Sequence, residues 1–360
     1  MKSSVIIRIA PACYLPTLFV FALLCLSCSR TERKPLRLQW LTMGTVAAVQ
    51  CADHASAARA RETSRVGFDE VNREFSAWRD DSVLSAINRA AGTGHYVAVP
   101  ATVATVLETA LRFCDESGGA FNPMIGPTMR LWGFNGTSES LHTPAAEAVR
   151  LATALADRNA IEIISDAEGK RVRLNKPGMS LDLGGIAKGY AVDLAWRRLK
   201  ERGHIDTLVD LGGNLRAIGK AAPGRGGWRT GVRNPFDTDG LVGIFLLKDG
   251  EATSTSGHYE RFVQIDGVRH AHIMDGRTGR PVTGMAGVTV IAPDAMTADA
   301  LSTALFIIGP EKGIQMLRGH QGCEALWIPD TPNNQTVLAT PGFATRLEIL
   351  RPDAWRLNII

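Results

Sequence analysis

The hydrophobic period changes partway along this chain, and that change limits the fold more than any single motif. Within 56–75 the apolar residues Val66, Phe68, Val71 and Phe75 recur at helical spacing. Asp81 or Ser82 caps a short helix through Ile87, and Pro100 opens another to about Cys114, closed by Gly118-Gly119. A further helix is expected over 145–156. Before these lies 36–50, a strand or hairpin interrupted near Gly44. From about 161 onward short strands take over: 161–164, 171–174, 180–183 and 205–211, then a series through about Val290. Asp266-Gly267 marks a hairpin, and strands at 325–328 and 335–338 close the chain. Two helices interrupt this half, 186–202 ending at Gly203, and 294–308. Helices first and strands later predict an α+β fold with mixed or antiparallel sheets, not a doubly wound parallel sheet.

Two segments carry the chemistry. Leu181-Asp-Leu-Gly-Gly-Ile-Ala-Lys-Gly-Tyr-Ala-Val-Asp193 reads as a strand that ends in two glycines and turns into a helix. Such a junction brings backbone close to a ligand, and a helix start favours negative charge. Thr297-Ala-Asp-Ala-Leu-Ser-Thr303 places Asp299 and Thr303 one helical turn apart, two oxygen donors on one face. Singly, these are an ordinary turn and an ordinary helix cap. Together they suggest chemistry on a metal-bound phosphoanhydride. A nicotinamide dehydrogenase is disfavoured, because no GxGxxG follows the first strand, and no GxxxxGK[ST] supports a P-loop.

The N-terminus predicts where this happens. Lys2 and Arg8 precede the apolar run Pro16-Thr-Leu-Phe-Val-Phe-Ala-Leu-Leu-Cys-Leu-Ser27, too short for a spanning helix and suited to an export signal. Leu26-Ser27-Cys28-Ser29 resembles the bacterial lipoprotein cleavage box, in which the cysteine becomes the lipidated first residue. Cys25 stands where that pattern prefers leucine, so ordinary cleavage and a retained anchor are competing readings. Ser29 gives no inner-membrane retention signal. The expected organisation is a signal peptide over 1–27, a tether over 28–35 and a catalytic body over 36–350. A net charge of +4 without any Lys/Arg block argues against nucleic acid. Cys51, Cys114 and Cys323 fit no zinc spacing and read as buried free thiols, with a single disulfide as the alternative.

The motifs then become recognisable in order: Met43-Gly-Thr45; Phe75-Ser-Ala-Trp-Arg-Asp-Asp-Ser82 with Asn88; Gly119-Ala-Phe-Asn-Pro-Met-Ile-Gly-Pro127 with Leu131-Trp-Gly-Phe134; 181–193; Asp210-Leu-Gly-Gly-Asn214; Thr255-Ser-Gly257; His272-Ile-Met-Asp-Gly-Arg-Thr-Gly279; and 297–303. This series resembles the ApbE family of FAD:protein FMN transferases from about Met43 to Gly309. The resemblance implies an α+β ApbE-like fold with its nucleotide site between two lobes. It also implies FAD as substrate and Mg²⁺ as cation. FMN would pass through a phosphoester bond to a Thr or Ser hydroxyl of an exported or membrane flavoprotein, within an Asp-x-x-[Ser/Thr]-x-Ala-[Thr/Ser] motif, and AMP would leave. The implied metal donors are the Gly185 carbonyl and the side chains of Asp299 and Thr303. The implied FAD contacts are Met43, Trp78, Ala120, Phe121, Asn122, Asp182, Lys188 and Ile273. Either His272 or Asp299 would take the acceptor's proton.

Several of these residues have plainer roles open to them. Trp78 is otherwise a core tryptophan, Lys188 a solvated helix residue, and Asp182 a support for the glycine turn. Two positions depart from the family pattern, which usually has Asp at Asn122 and Pro at Gly276. Competing readings are a periplasmic FAD pyrophosphatase and a non-enzymatic FAD-binding lipoprotein. Asp299 and Thr303 argue against the second.

Overall fold

Antiparallel strands laid down in chain order build the centre of the molecule, which we describe from a computed structural model. The structure describes residues 34–134, 142–222, 224–237, 239–266, 268–333 and 335–360. The expected signal peptide, Cys28 and most of the 28–35 tether lie outside the described residues. The central sheet comprises β1 (Leu36–Thr42), β2 (Thr45–Cys51), β3 (Thr207–Leu211), β4 (Asn214–Ile218), β5 (Ala252–Gly257), β6 (Met285–Ala292), β7 (Glu324–Pro329), β8 (Thr336–Ala339) and β9 (Arg356–Ile359). Its spatial order follows this numbering. Each neighbouring pair is antiparallel except β8 and β9, which run parallel.

Both faces of this sheet are covered, which explains why its middle strands are almost wholly apolar or buried. In β7, Ala325 and Trp327 face one core while Leu326 and Ile328 face the other. The first core is roofed by α1 (Ala57–Phe75), α2 (Ala101–Glu116), α3 (Ala187–Glu201) and α4 (Ala295–Leu317). Among these, α1 packs on α3, α3 packs on β3, β4 and α4, and α4 packs on β5 and β6. The second core lies under a three-stranded sheet made of Trp228–Arg233, Leu241–Leu247 and Leu347–Ile349. A further small sheet joins Val97–Val99, Gly169–Leu174 and Ile161–Asp166 beside the helices. The fold is α+β.

The sequence reading holds for most elements and fails at identifiable places. Residues 180–183 are not a strand. The Leu181 N–H and C=O are bonded instead by the Asn88 side chain, at 2.7 and 3.1 Å, and Asp182 N–H by the Pro123 carbonyl at 2.8 Å. The segment is thus extended and satisfied without a ladder partner. Helix α4 breaks at Gly309 (φ 77°, ψ 176°) and resumes at Pro310, so its first part ends where the sequence placed the terminus. The body continues past 350, because β9 pairs with β8; residues Pro35–Ile360 form one compact unit. Cys51, Cys114 and Cys323 are free thiols.

Candidate active site

Two glycines let the starts of α3 and α4 come together. A Cβ on Gly189 would stand 2.2 Å from the Ala295 carbonyl oxygen and 2.8 Å from Asp299 Cβ, so only glycine permits this approach. A Cβ on Gly185 would stand 3.0 Å from the Phe121 ring and 3.3 Å from Thr303 Oγ1, which puts the Gly185 backbone against the Thr303 side chain. The first turn of a helix has N–H groups without intrahelical partners. Gly189 N–H in the first turn of α3 finds its acceptor in Asp299 Oδ2 on α4, at 2.8 Å. The two helices are clamped again further on by the buried Asp193. Its carboxylate accepts from Arg216 at 2.7 Å and from the Ala295 and Met296 N–H groups at 2.8 and 2.9 Å.

The electrostatics follow from this burial. Asp299 is 2% exposed, and burial raises its pKa against the pull of Lys188 and the Gly189 N–H. Lys188 Nζ lies 3.7 Å from Asp299 Oδ1. Burial alone would depress Lys188, yet the Asp299 and Glu260 carboxylates outweigh it and its pKa is raised. His272 is pushed down to about 4, first by burial and then by the Lys188 charge. Its Nδ1 lies 3.1 Å from the Arg261 carbonyl, which can only accept. The neutral ring therefore carries its hydrogen on Nδ1 and presents Nε2 as an acceptor. The two base candidates are thus separated: Asp299 is engaged by Gly189 and Lys188, whereas His272 is neutral with a free acceptor nitrogen.

The other expected contacts divide. Phe121, on the buried stretch with Ala120, packs edge-on to Phe113 and against Gly185. Asp182 Oδ1 accepts from Gly184 N–H at 2.8 Å, so this carboxylate supports the glycine turn. The Asn122 amide donates to the Ala156 carbonyl and accepts from Met124 N–H, each at 2.9 Å, bonds that tie this side chain to its loop. Gly276, the other departure from the family pattern, packs on that same residue, a Cβ there falling 2.5 Å from Asn122 Cβ. The Ile273 side chain is in the core and 5% exposed. Trp78 is not a core tryptophan, since it is 59% exposed. Met43 occupies the β1–β2 turn at φ +49°, beside the Gly212-Gly213 turn that follows β3.

Sequence reasoning missed Glu260, whose carboxylate interacts with Lys188 and whose Oε1 lies 3.8 Å from where a Gly213 Cβ would be. Burial among protein groups raises it to about 7, an effect tempered by water because the side chain is exposed. Only its place shortly after Thr255-Ser-Gly257 could have drawn attention to it. Ser254, Ser256 and Ser302 were also missed. Ser256 and Ser302 lie inside the motifs 255–257 and 297–303, and the row they form with Ser254 adjoins Thr303 and the Asp299 carbonyl.

Among the described residues no group of three or more His, Cys, Asp or Glu converges as a metal cluster. A cation here would rest on a mixed set: one carbonyl, one buried carboxylate and one hydroxyl. That set of hard oxygen donors fits Mg²⁺, with phosphate and water completing its shell. The ApbE family model matches residues 43–327. The chain belongs to the ApbE family. It is 36% identical to the FAD:protein FMN transferase of Treponema pallidum over 327 residues, which is 86% of this chain and 88% of that one. Against the enzyme of the same name from Klebsiella pneumoniae it is 32% identical over 309 residues, covering 85% and 87%. The fold matches the ApbE protein of Thermotoga maritima at a TM-score of 0.74 and 32% identity, covering 82% of this chain and 95% of that one. The flavin transferase ApbE from Vibrio cholerae gives 0.76 at 29% identity, covering 87% and 99%.

Proposed function

We propose that this ApbE-family chain is an FAD:protein FMN transferase that uses Mg²⁺ and acts on a Thr or Ser hydroxyl of an exported or membrane flavoprotein. The observation that carries the reading is the convergence of Gly185, Asp299 and Thr303. The Gly185 backbone lies against the Thr303 side chain, Asp299 accepts from Gly189 N–H at 2.8 Å, and Lys188 stands 3.7 Å from Asp299, an arrangement that supports three hard oxygen donors for one cation. Gly185, Asp299 and Thr303 would hold the cation. When bound, it neutralises charge that develops on the pyrophosphate.

The residues divide the remaining work. Lys188 balances Asp299 and offers a point charge to phosphate. The acceptor oxygen bonds to the FMN phosphorus, and the bond from that phosphorus to the AMP oxygen breaks. The acceptor's proton passes to His272 Nε2, whose low pKa keeps the ring unprotonated at neutral pH. Holding the acceptor hydroxyl in attack geometry favours it over water by several powers of ten. The acceptor segment is Asp-x-x-[Ser/Thr]-x-Ala-[Thr/Ser].

The apolar N-terminal run and Cys28 support export, with a lipid anchor facing the periplasm. Labelled palmitate should enter the wild type and not Cys28→Ala.

The central test is incubation with FAD, Mg²⁺ and an acceptor protein bearing that motif, followed by in-gel flavin fluorescence and intact mass. AMP and flavinylated acceptor should appear in equal amounts, and both should vanish with EDTA or in Asp299→Ala. Formation of only free FMN and AMP would make the protein an FAD pyrophosphatase.

A further inference from the structure

Behind Thr303 stands a row of buried hydroxyls that the reaction does not itself use. Ser256 Oγ lies 3.3 Å from Thr303 Oγ1 and 2.9 Å from Ser302 Oγ. Ser302 Oγ lies 3.2 Å from Ser254 Oγ and 3.0 Å from the backbone carbonyl oxygen of Asp299. Ser254 and Ser302 are 1% and 0% exposed, and Ser256 is 8% exposed, so water does not complete these bonds. The row arises from two periodicities. Ser254 and Ser256 are two apart on β5 and share the face turned to α4, while Asp299, Ser302 and Thr303 share one turn of α4.

A hydroxyl has a single hydrogen, so such a row has a direction. The Asp299 carbonyl can only accept, so Ser302 donates to it and shares that hydrogen with Ser254 Oγ. Ser302 Oγ is then the acceptor for Ser256. Ser256 has thereby spent its hydrogen and can only accept from Thr303, across the longest and weakest of the links. Thr303 thus points its hydrogen at Ser256, into the row. The Ser254 hydroxyl also stands near enough to the Asp299 carboxylate to favour its charged form, so the row extends from Thr303 toward the other side-chain donor.

We propose that Ser256 and Ser302 are positioning residues that fix the Thr303 hydroxyl with its lone pairs facing the cation. They make it a ligand instead of a competing hydrogen-bond donor. The inference rests on Thr303 being a cation ligand, as proposed above. A purely structural row would only fasten β5 to α4. The two roles differ in one respect: fastening would persist without the Thr303 hydroxyl, whereas orientation has no meaning without it.

The test is a double-mutant cycle on the full chain, with Mn²⁺ as a paramagnetic substitute titrated by EPR, with and without FAD, beside thermal unfolding. Ser256→Ala should weaken Mn²⁺ binding by about 10- to 100-fold, the usual effect of losing a partner that orients a ligand. Ser302→Ala, one link back, should act in the same direction. Thr303→Val should weaken binding by itself, and adding Ser256→Ala to it should change nothing further. Additive losses, or Mn²⁺ affinity within twofold of wild type in both serine variants, would overturn the proposal while leaving the transferase reading intact. A wild type that binds no Mn²⁺ under either condition would overturn both this proposal and the cation assignment.

Discussion

Replacing Gly189 by alanine sets two physical effects against each other, and the structure decides their sum. In an exposed helix interior, Gly→Ala stabilises by about 1 kcal/mol through backbone entropy. At this position the new Cβ would lie 2.2 Å from the Ala295 carbonyl oxygen, 2.7 Å from its carbonyl carbon and 2.8 Å from Asp299 Cβ. All three neighbours are main chain or the root of a side chain, so no rotamer change relieves the contact. Reaching ordinary van der Waals distance requires α3 and α4 to move apart by roughly 1 Å, and overpacking of this kind costs about 1–3 kcal/mol. The same movement lengthens the 2.8 Å bond from Gly189 N–H to Asp299 Oδ2. A bond to a charged group contributes about 1.5–3 kcal/mol. Set against the helix-propensity gain of about 1 kcal/mol, the net expectation is a destabilisation of about 1.5–5 kcal/mol by urea unfolding. The functional loss should be larger in kind. Asp299 and Thr303 ride on α4 while Gly185 precedes α3, so a 1 Å separation splits the proposed donor set, and misplacement of that size removes about 100-fold in rate. Transfer of FMN to an acceptor, followed by in-gel fluorescence, should fall accordingly. A Gly189→Ala protein as stable and as active as wild type would refute the helix contact on which the site is built.

Other residues give independent expectations. Asp193→Ala leaves Arg216 without its buried partner and the first N–H groups of α4 without an acceptor, so it should cost about 3–5 kcal/mol; urea unfolding that moves by less than 1 kcal/mol would exclude the clamp. His272 is held at about 4 against an ordinary value of 6.5, so between those pH values the unfolded chain binds a proton that the folded chain does not. Its contribution is therefore complete above pH 6.5 and is lost as pH falls toward 4, up to about 2 kcal/mol by pH 5. The wild type should lose more stability from pH 7 to pH 5 than His272→Gln does, and equal losses would contradict the depressed pKa. The acid limb of kcat/KM should likewise lie below pH 5, not near 6.5. Because Trp78 is 59% exposed, Trp78→Ala should leave thermal stability almost unchanged yet weaken FAD binding by about 1 kcal/mol, roughly fivefold, if the indole stacks on the flavin or adenine ring. Unchanged FAD affinity in a fluorescence titration would remove Trp78 from the site.

Local order in the chain determined whatever depends on a few consecutive residues. The helix over Val83–Arg89 starts where Ser82 caps it, accepting from Ser85 N–H at 2.9 Å, and α3 ends before Gly203, which takes φ +74°. Asp299 and Thr303 were bound to share a face once α4 formed, because four residues make one helical turn. Two hairpins of the central sheet, β1–β2 and β3–β4, also follow from short strands joined by the tight turns Met43-Gly44 and Gly212-Gly213, whereas the other strand neighbours are joined by longer segments and were set by packing. Tertiary structure decided whatever joins distant segments. Residues 180–183 had the apolar pattern of a strand, but a side chain 93 positions away, Asn88, supplied the pairing that a neighbouring strand would have given. Ser256 entered the site because β5 lies against α4, and Glu260 because the turn after β5 reaches Lys188 on α3, juxtapositions that no spacing in the sequence records. The amide of Asn122 found its acceptor in the Ala156 carbonyl, 34 residues on. The approach of Gly185 to Thr303 depended on the absence of one carbon atom at Gly189. Hydrogen-bond capacity and steric size belong to single residues and can be read from the sequence, but which partners satisfy them is fixed only when the chain has packed.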